Sequence, residues 1–203
     1  MGVAERKERE RLELREKIIE AATELFLSKG IEKTSMRQIA DKIEYSPATI
    51  YLHFSDKNEL FYIIMERSFK LFFDHLSIVK SIQDPMQRLV ALGRKYLEFV
   101  AKHPLNYDLM FVERDPMRTE HTDEKWENGI KSHNILRDTV TECIQKGHFK
   151  NHDPESLSLA IWSTVHGLAT LKLRDRLSMY EEEHRNHLVT DALESLNKML
   201  QSI

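Results

Sequence analysis

A group of polar and small side chains follows Ser46-Pro47, a pair that predicts the start of a short helix because serine caps helices and proline fits the first turn. At about 100° per residue, the part of this helix that points outward is narrow and is flanked by polar groups. The outward residues are Ala48, Thr49 and Leu52, and the flanking residues are Tyr51 and His53. A narrow helix face fits the major groove, where small side chains meet base edges and flanking groups reach phosphates. The pattern therefore predicts a recognition helix for duplex DNA.

A second short helix is predicted just before it. Ser35 and Gln38 have the spacing of a capping box, and Ile39 and Ala40 supply its buried side. The two helices are joined by a tight turn and are followed by the capped start of a third helix. Residues 34–57 are therefore predicted to form a helix-turn-helix.

The predicted third helix begins beside a cation. Ser55 and Asp56 offer caps for it, and its free N–H groups could hold a phosphate with Lys57 close by. Ile50 and Phe54 fall on the opposite side of the recognition helix and are expected in the core.

The same stretch resembles the DNA-binding domain of the tetracycline-repressor (TetR/AcrR) family of bacterial transcriptional regulators. The resemblance covers roughly residues 14–65 and is carried by Ile39-Ala40, Ser46-Pro47, Thr49-Ile50-Tyr51, His53-Phe54 and Lys57-Asn58-Glu59-Leu60. A shorter one, in the segment IWSTVHGLATL with Trp162, His166 and Gly167, is to the C-terminal domain of one branch of that family.

The resemblance implies roles for individual residues of the DNA-binding segment. The implied phosphate contacts are Thr34, Ser35 and Lys57, the implied base readers are Arg37, Ala48 and Thr49, and the implied backbone clamps are Tyr51 and His53. Ser46 and Pro47 complete the set of expected DNA-binding residues. Glu44 stands where the family usually has a turn glycine, and Tyr45 follows it in place of a small aliphatic residue. A non-glycine there costs about 1 kcal/mol if the turn requires positive φ.

Composition favours an all-α fold. The chain has six glycines and five prolines and is 41% hydrophobic, and its apolar residues recur at helical spacing. We expect about nine helices, with a DNA-binding domain over residues 1–60 and a helical regulatory and dimerisation domain over residues 61–203. A first helix is expected over residues 8–29, a long one from Ser55 to Lys80, and a loop over residues 113–124. Asp84-Pro85 and Asp153-Pro154 predict two further helix starts.

Aromatic residues at helical spacing in the second domain suggest a pocket for a small, apolar effector. The candidate ligand-binding residues are Phe69, Phe72, Phe73, Tyr96, Phe99, Phe111, Trp126, Trp162 and His166. The alternative for each ring is ordinary core packing, and for His166 it is a satisfied core histidine.

The last two long helices carry more apolar residues than one core-facing stripe needs, and the family resemblance places a dimer contact there. The expected interface residues are Leu157, Ile161, Leu168, Leu188, Leu193, Leu196 and Leu200. The predicted assembly is a homodimer that binds a palindromic operator in double-stranded DNA.

The features above favour a ligand-responsive transcriptional repressor that a small effector releases from its operator. Two other function classes stay open: a DNA-binding architectural protein without a ligand, and a helical metalloenzyme. The second would use Glu181, His184 and His187, or His148, His152 and Asp153, although incidental surface histidine explains both clusters. Motifs of enzymes and cofactor sites do not occur in the chain, so neither a cofactor nor a metal is predicted.

Net charge, cysteine content and the lengths of apolar runs limit how the protein can bind DNA, whether it has disulfides and where it is located. The formal net charge of −3 argues against broad nucleic-acid affinity, so DNA binding must depend on locally arranged groups. The single Cys143 excludes an intrachain disulfide and is expected in the core. Since no apolar run reaches the length of a membrane span, the sequence predicts a cytoplasmic protein that does not bind membranes.

Overall fold

The computed structural model describes residues 2–112 and 127–202, and within them it contains nine α-helices and one 3₁₀ helix. In chain order these are α1 Val3–Lys29, α2 Met36–Lys42, α3 Pro47–Tyr51, α4 Lys57–Ser77, the 3₁₀ helix Ile78–Ser81, α5 Pro85–Lys102, α6 Pro104–Phe111, α7 Glu127–Gln145, α8 Pro154–Leu173 and α9 Glu182–Gln201. The predicted all-α fold class is confirmed.

The described chain divides into two compact units. The first comprises residues 2–69 and 105–112, and the second comprises residues 70–104 and 127–202. The division falls inside α4, so this helix contains residues of both units.

Local capping sets the helix starts in the first unit. The Ser35 hydroxyl accepts the N–H of Gln38 at 3.2 Å, and the Gln38 side chain accepts the N–H of Ser35 at 2.8 Å. This is the predicted capping box, and it satisfies two N–H groups that the first turn of α2 leaves unpaired. Its buried residues include Ile39 and Ala40, as expected.

The second unit uses an aspartate followed by proline to begin two of its helices. Asp84 accepts the N–H of Gln87 at the start of α5, and Asp153 accepts the N–H of Ser156 at the start of α8, both at 2.8 Å. Helix α5 packs against α7, α8 and α9. The core cluster of this unit contains Met86, Leu89, Val140, Cys143, Phe149, Leu157, Ile161 and Leu200. Cys143 is therefore a core residue, as predicted.

Two helix boundaries differ from the sequence-based prediction. Helix α1 begins at Val3 rather than near residue 8, because Arg–Glu pairs one turn apart stabilise its charged start. Helix α4 begins at Lys57, where Asp56 accepts the N–H groups of Asn58 and Glu59, and it gives way to the 3₁₀ helix before Lys80. The loop predicted over residues 113–124 lies outside the described residues.

The described part of the chain contains no helix that could span a membrane. None of its helices combines the length and the apolar composition that crossing a bilayer requires.

Candidate nucleic-acid interface

Helix α3 has one buried face and one exposed face. Ile50 is fully buried and Phe54, just after the helix, is 1% exposed. On the other side Leu52 is 84% exposed, Tyr51 is 55% exposed and Ala48 is exposed. The structure therefore brings the predicted recognition residues together on one accessible surface.

The start of α3 is held by its own side chains. The Ser46 hydroxyl accepts the N–H of Thr49 at 3.2 Å and shares a hydrogen bond of 2.9 Å with the Thr49 hydroxyl. Pro47 occupies the first helical turn. Ser46 and Pro47 thus position the helix, and the half-buried Thr49 takes part in the cap.

The turn between α2 and α3 has the left-handed conformation for which the family's usual glycine is suited. Glu44 has a φ of 62°, a region in which a side chain is strained and glycine is not. The adjacent Tyr45 ring lies 5.4 Å below the Nζ atom of Lys17, which anchors the turn to α1.

Two further predicted residues lie on or next to α2 and are accessible. Ser35 is exposed while capping the helix, and Arg37 is exposed with a long 4.0 Å ion pair to Asp41. An ion pair so long and so exposed contributes little to stability. The Arg37 guanidinium can therefore exchange Asp41 for another acceptor.

Thr34 and Lys57 have roles within the fold. Thr34 is buried, and its hydroxyl donates to the carbonyl oxygen of Gly30 at 2.9 Å. The Nζ atom of Lys57 donates to the carbonyl oxygen of Ile31 at 2.8 Å. An ammonium has three donors, so Lys57 can also bind a phosphate, whereas the single hydroxyl proton of Thr34 is already used.

His53 has cationic neighbours that the sequence pattern of the helix-turn-helix did not reveal. The Arg15 guanidinium of α1 lies 4.8 Å from the centre of the Phe54 ring, next to His53. Burial, followed by the positive charges of Arg11 and Arg15, lowers the pKa of His53. Its buried Nδ1 atom lacks a hydrogen-bond partner among the described residues. The spacing of Arg11 and Arg15, one helical turn apart, is the signal that could have identified this cationic side of α1.

The aromatic candidates in the second unit are packed against one another. The Phe72 ring lies 4.9 Å from Phe99 and 5.4 Å from Tyr96, measured between ring centres and in edge-on geometry. Tyr96 shares a 3.0 Å hydrogen bond with Nδ1 of His166, and burial lowers the pKa of His166. Trp162 contacts His166 edge-on at 6.1 Å. These residues form a closely packed interior with one polar pair in it.

The other candidate ligand residues lie elsewhere. Phe69 and Phe111 belong to the first unit, where their rings meet edge-on at 5.6 Å. Phe73 is half-buried, with the Nζ atom of Lys80 4.9 Å from its ring centre. Trp126 lies outside the described residues.

Four of the seven expected interface residues are buried within a single chain. Leu157, Ile161, Leu193 and Leu200 are at most 9% exposed and pack in the interior of the second unit. Their burial gives these four a role in the core of a single chain, and their place at an interface stays a prediction, because apolar periodicity alone does not separate a core stripe from an interface stripe. The remaining residues, Leu168, Leu188 and Leu196, are half-buried.

The possible metal-binding clusters find no geometric support. Within residues 2–112 and 127–202, no three His, Cys, Asp or Glu side chains come together as a metal site would require.

Two family models match the chain. The model described as bacterial regulatory proteins of the tetR family matches residues 18–62, and the model of the tetracyclin repressor-like C-terminal domain matches residues 89–196. A curated HTH-type transcriptional regulator of Staphylococcus aureus (strain USA300) is 32% identical over 85 residues, 42% of this chain and 46% of the relative. The chain thus spans about half the length of the curated relatives it matches.

Solved structures share the fold. The fatty acid degradation regulator FadR of Bacillus halodurans has a TM-score of 0.70 at 19% identity, covering 92% of this chain and 93% of that one. The FadR of Bacillus subtilis in complex with stearoyl-CoA has a TM-score of 0.67 at 22% identity, covering 88% and 95%. With the second family model spanning more than half of the chain and the helix-turn-helix in place, the protein is a transcriptional regulator rather than an enzyme, and it belongs to the TetR family.

Proposed function

We propose that this protein is a ligand-responsive cytoplasmic repressor that binds a palindromic operator as a homodimer and is released by a small, apolar effector. The observation that carries the proposal is the exposed face at α3, where Tyr51 is 55% exposed and the following Leu52 is 84% exposed while Ile50 is fully buried. A helix that presents bulky apolar and polar groups to water on one face only is suited to bind a partner.

The accessible residues divide into two proposed groups. Arg37, Ala48 and Thr49 read bases, because they lie at the starts of α2 and α3 and can approach base edges. Ser35, Tyr51, His53 and Lys57 bind phosphates. Thr34 contributes indirectly, because the hydrogen bond from its hydroxyl to Gly30 holds the segment before α2 against the end of α1.

The proposed homodimer uses the exposed residues of the last two helices. Leu159 and Leu171 of α8 are 55% and 42% exposed, and Met199 of α9 is 60% exposed. Leu159→Glu should give a folded monomer in light scattering, because it places a charge in the interface. Leu193→Glu, in the interior, should instead unfold the second unit.

The effector is proposed to bind in the second unit, where Tyr96 and His166 offer a polar pair among aromatic rings. The solved FadR of the same fold carries stearoyl-CoA, which joins an apolar acyl chain to a polar carrier, so fatty acyl compounds, tested as free acids and as CoA thioesters, are the first class to screen. Helix α4 contains residues of both units and offers a stiff connection for the response.

Quantitative DNA binding tests the assignment of roles. After selection of an operator from random duplexes, Lys57→Ala and Tyr51→Phe should weaken binding to operator and random DNA alike. Arg37→Ala and Thr49→Ala should cost about 1–3 kcal/mol on the operator alone. Equal losses on both kinds of DNA would remove Arg37 and Thr49 from the base readers.

Effector response is tested by linkage. The affinity of a screened acyl-CoA should fall about 5- to 150-fold when operator DNA is present, by the same factor with which it weakens the operator. An affinity unchanged by DNA would contradict a role for that compound as inducer.

A further inference from the structure

The N-terminal part of α1 extends well beyond the core of the first unit. The first buried residue of this helix is Ile18, and residues 3–13 are all exposed. At 1.5 Å per residue, the segment before Ile18 is roughly 20 Å long. Its exposed part, residues 3–13, contributes little to the core and is available for contact with a partner.

One side of this segment runs toward the end of α3. Lys7, Arg11 and Arg15 are spaced four residues apart and therefore share a face. Arg15 lies over the Phe54 ring, and the positive charges of Arg11 and Arg15 both act on His53. This face is a cationic row that begins at the proposed phosphate contact and leads away from it.

Arg11 is held by an internal carboxylate. Its Nε and Nη2 atoms donate to the two oxygens of Glu8 at 2.9 and 2.7 Å, and both side chains are more than half exposed. An exposed pair of this kind is weak, and a phosphate offers the guanidinium the same two-oxygen geometry. Glu8 thus occupies Arg11 in a way that a DNA phosphate could replace.

We propose that the exposed start of α1 is a second DNA-binding element, which contacts the phosphate backbone through Arg11 and Lys7, and that Glu8 competes with DNA for Arg11. This inference rests on the proposed DNA-binding function. It extends the protein's contact with each half-site beyond the helix-turn-helix and makes part of the affinity independent of base sequence.

A matched pair of arginine variants tests the contact. Arg11→Gln and Arg6→Gln each remove one exposed, ion-paired arginine from the same helix, but Arg6 points about 140° away from Arg11. Measured by fluorescence anisotropy on a random-sequence duplex, Arg11→Gln should lower affinity about fivefold, the size of one good exposed ion pair. It should also reduce the salt slope by about 0.9 per protomer, whereas Arg6→Gln should leave the slope unchanged.

A second pair tests the competition. Glu8→Gln releases Arg11 and Glu10→Gln releases Arg6, with the same change in net charge. We expect Glu8→Gln to tighten binding to the same duplex more than Glu10→Gln does, and to lose this advantage when Arg11→Gln is added.

Two outcomes overturn the inference. Equal effects of Arg11→Gln and Arg6→Gln would reduce the role of α1 to its general charge, and equal effects of Glu8→Gln and Glu10→Gln would remove the competition. Both outcomes leave the proposed function intact as long as the unaltered protein binds DNA and the Tyr51→Phe substitution lowers its affinity for DNA. Failure of the unaltered protein to bind any duplex would instead contradict the proposed function itself.

Discussion

The recognition surface of α3 and the aromatic interior of the second unit use their large side chains in opposite ways. At the end of α3, Tyr51 and the following Leu52 are exposed to solvent and contribute little to folding. In the second unit, Phe72, Tyr96 and Phe99 are nearly buried, and Phe72 contacts the other two rings edge-on. A side chain on the first surface can therefore be tested for function alone, whereas a side chain in the interior serves stability and any effector contact at the same time.

The largest effect that separates the two regions is expected from truncation of Phe99. Phe99→Ala should lower the free energy of unfolding by about 3–5 kcal/mol, because it leaves a cavity beside Phe72. Leu52→Ala should change it by less than about 0.5 kcal/mol, since Leu52 is largely exposed. Urea denaturation followed by circular dichroism measures both, and similar losses would erase the contrast.

Two helical glycines give a smaller effect within the second unit. A Cβ atom at Gly93 would lie 2.9 Å from Cδ1 of the buried Leu193, whereas a Cβ atom at Gly167 meets nothing within 4 Å. Gly167→Ala should stabilise the protein by about 0.5–1 kcal/mol through helix propensity. Gly93→Ala should destabilise it, since overpacking costs about 1–3 kcal/mol. Thermal unfolding of both variants checks the sign, and stabilisation by Gly93→Ala would mean that Leu193 is less tightly packed.

Relief of backbone strain in the turn before α3 is expected to stabilise the protein by about 1 kcal/mol. Glu44→Gly should raise the free energy of unfolding by that amount, because glycine adopts a φ of 62° without strain. Glu44→Ala serves as the control, as it removes the carboxylate but keeps the Cβ atom. If both substitutions stabilise equally, the carboxylate rather than the backbone is the source of the cost.

The smallest expected effect concerns pH and the recognition surface. In the free protein, burial and the charges of Arg11 and Arg15 hold the pKa of His53 below its usual value, so the ring is neutral near pH 7. A bound phosphate favours the protonated ring, so DNA binding should take up a proton and tighten a few-fold as pH falls below neutrality. His53→Gln should abolish this dependence in anisotropy titrations. A dependence retained in His53→Gln would assign it to another group.

Helix starts could be predicted from sequence because a cap is a local interaction. Ser46-Pro47, Asp84-Pro85 and Asp153-Pro154 each begin a helix where the pattern places it. The positive φ at Glu44 was accessible too, from the glycine that the family usually has there.

Tertiary contacts could not be predicted from the spacing of apolar residues along the sequence. Leu193 and Leu159 are both leucines on long helices of the second unit, yet one is 2% and the other 55% exposed. The difference depends on which neighbouring helix covers each stripe, which spacing along one helix does not contain. The position of Arg15 above Phe54 likewise joins residues that are distant in sequence and has no local signature.

The burial of Cys143 has a practical consequence for labelling. It is the single cysteine of the chain, its side chain is fully buried, and burial raises the pKa of its thiol to about 11. Maleimides react with thiolates, so this thiol is protected twice, by access and by ionisation. The natural chain therefore already serves as a cysteine-free background. A cysteine introduced at exposed Leu52 or Ser163 can carry a dye or spin label without replacement of the native residue.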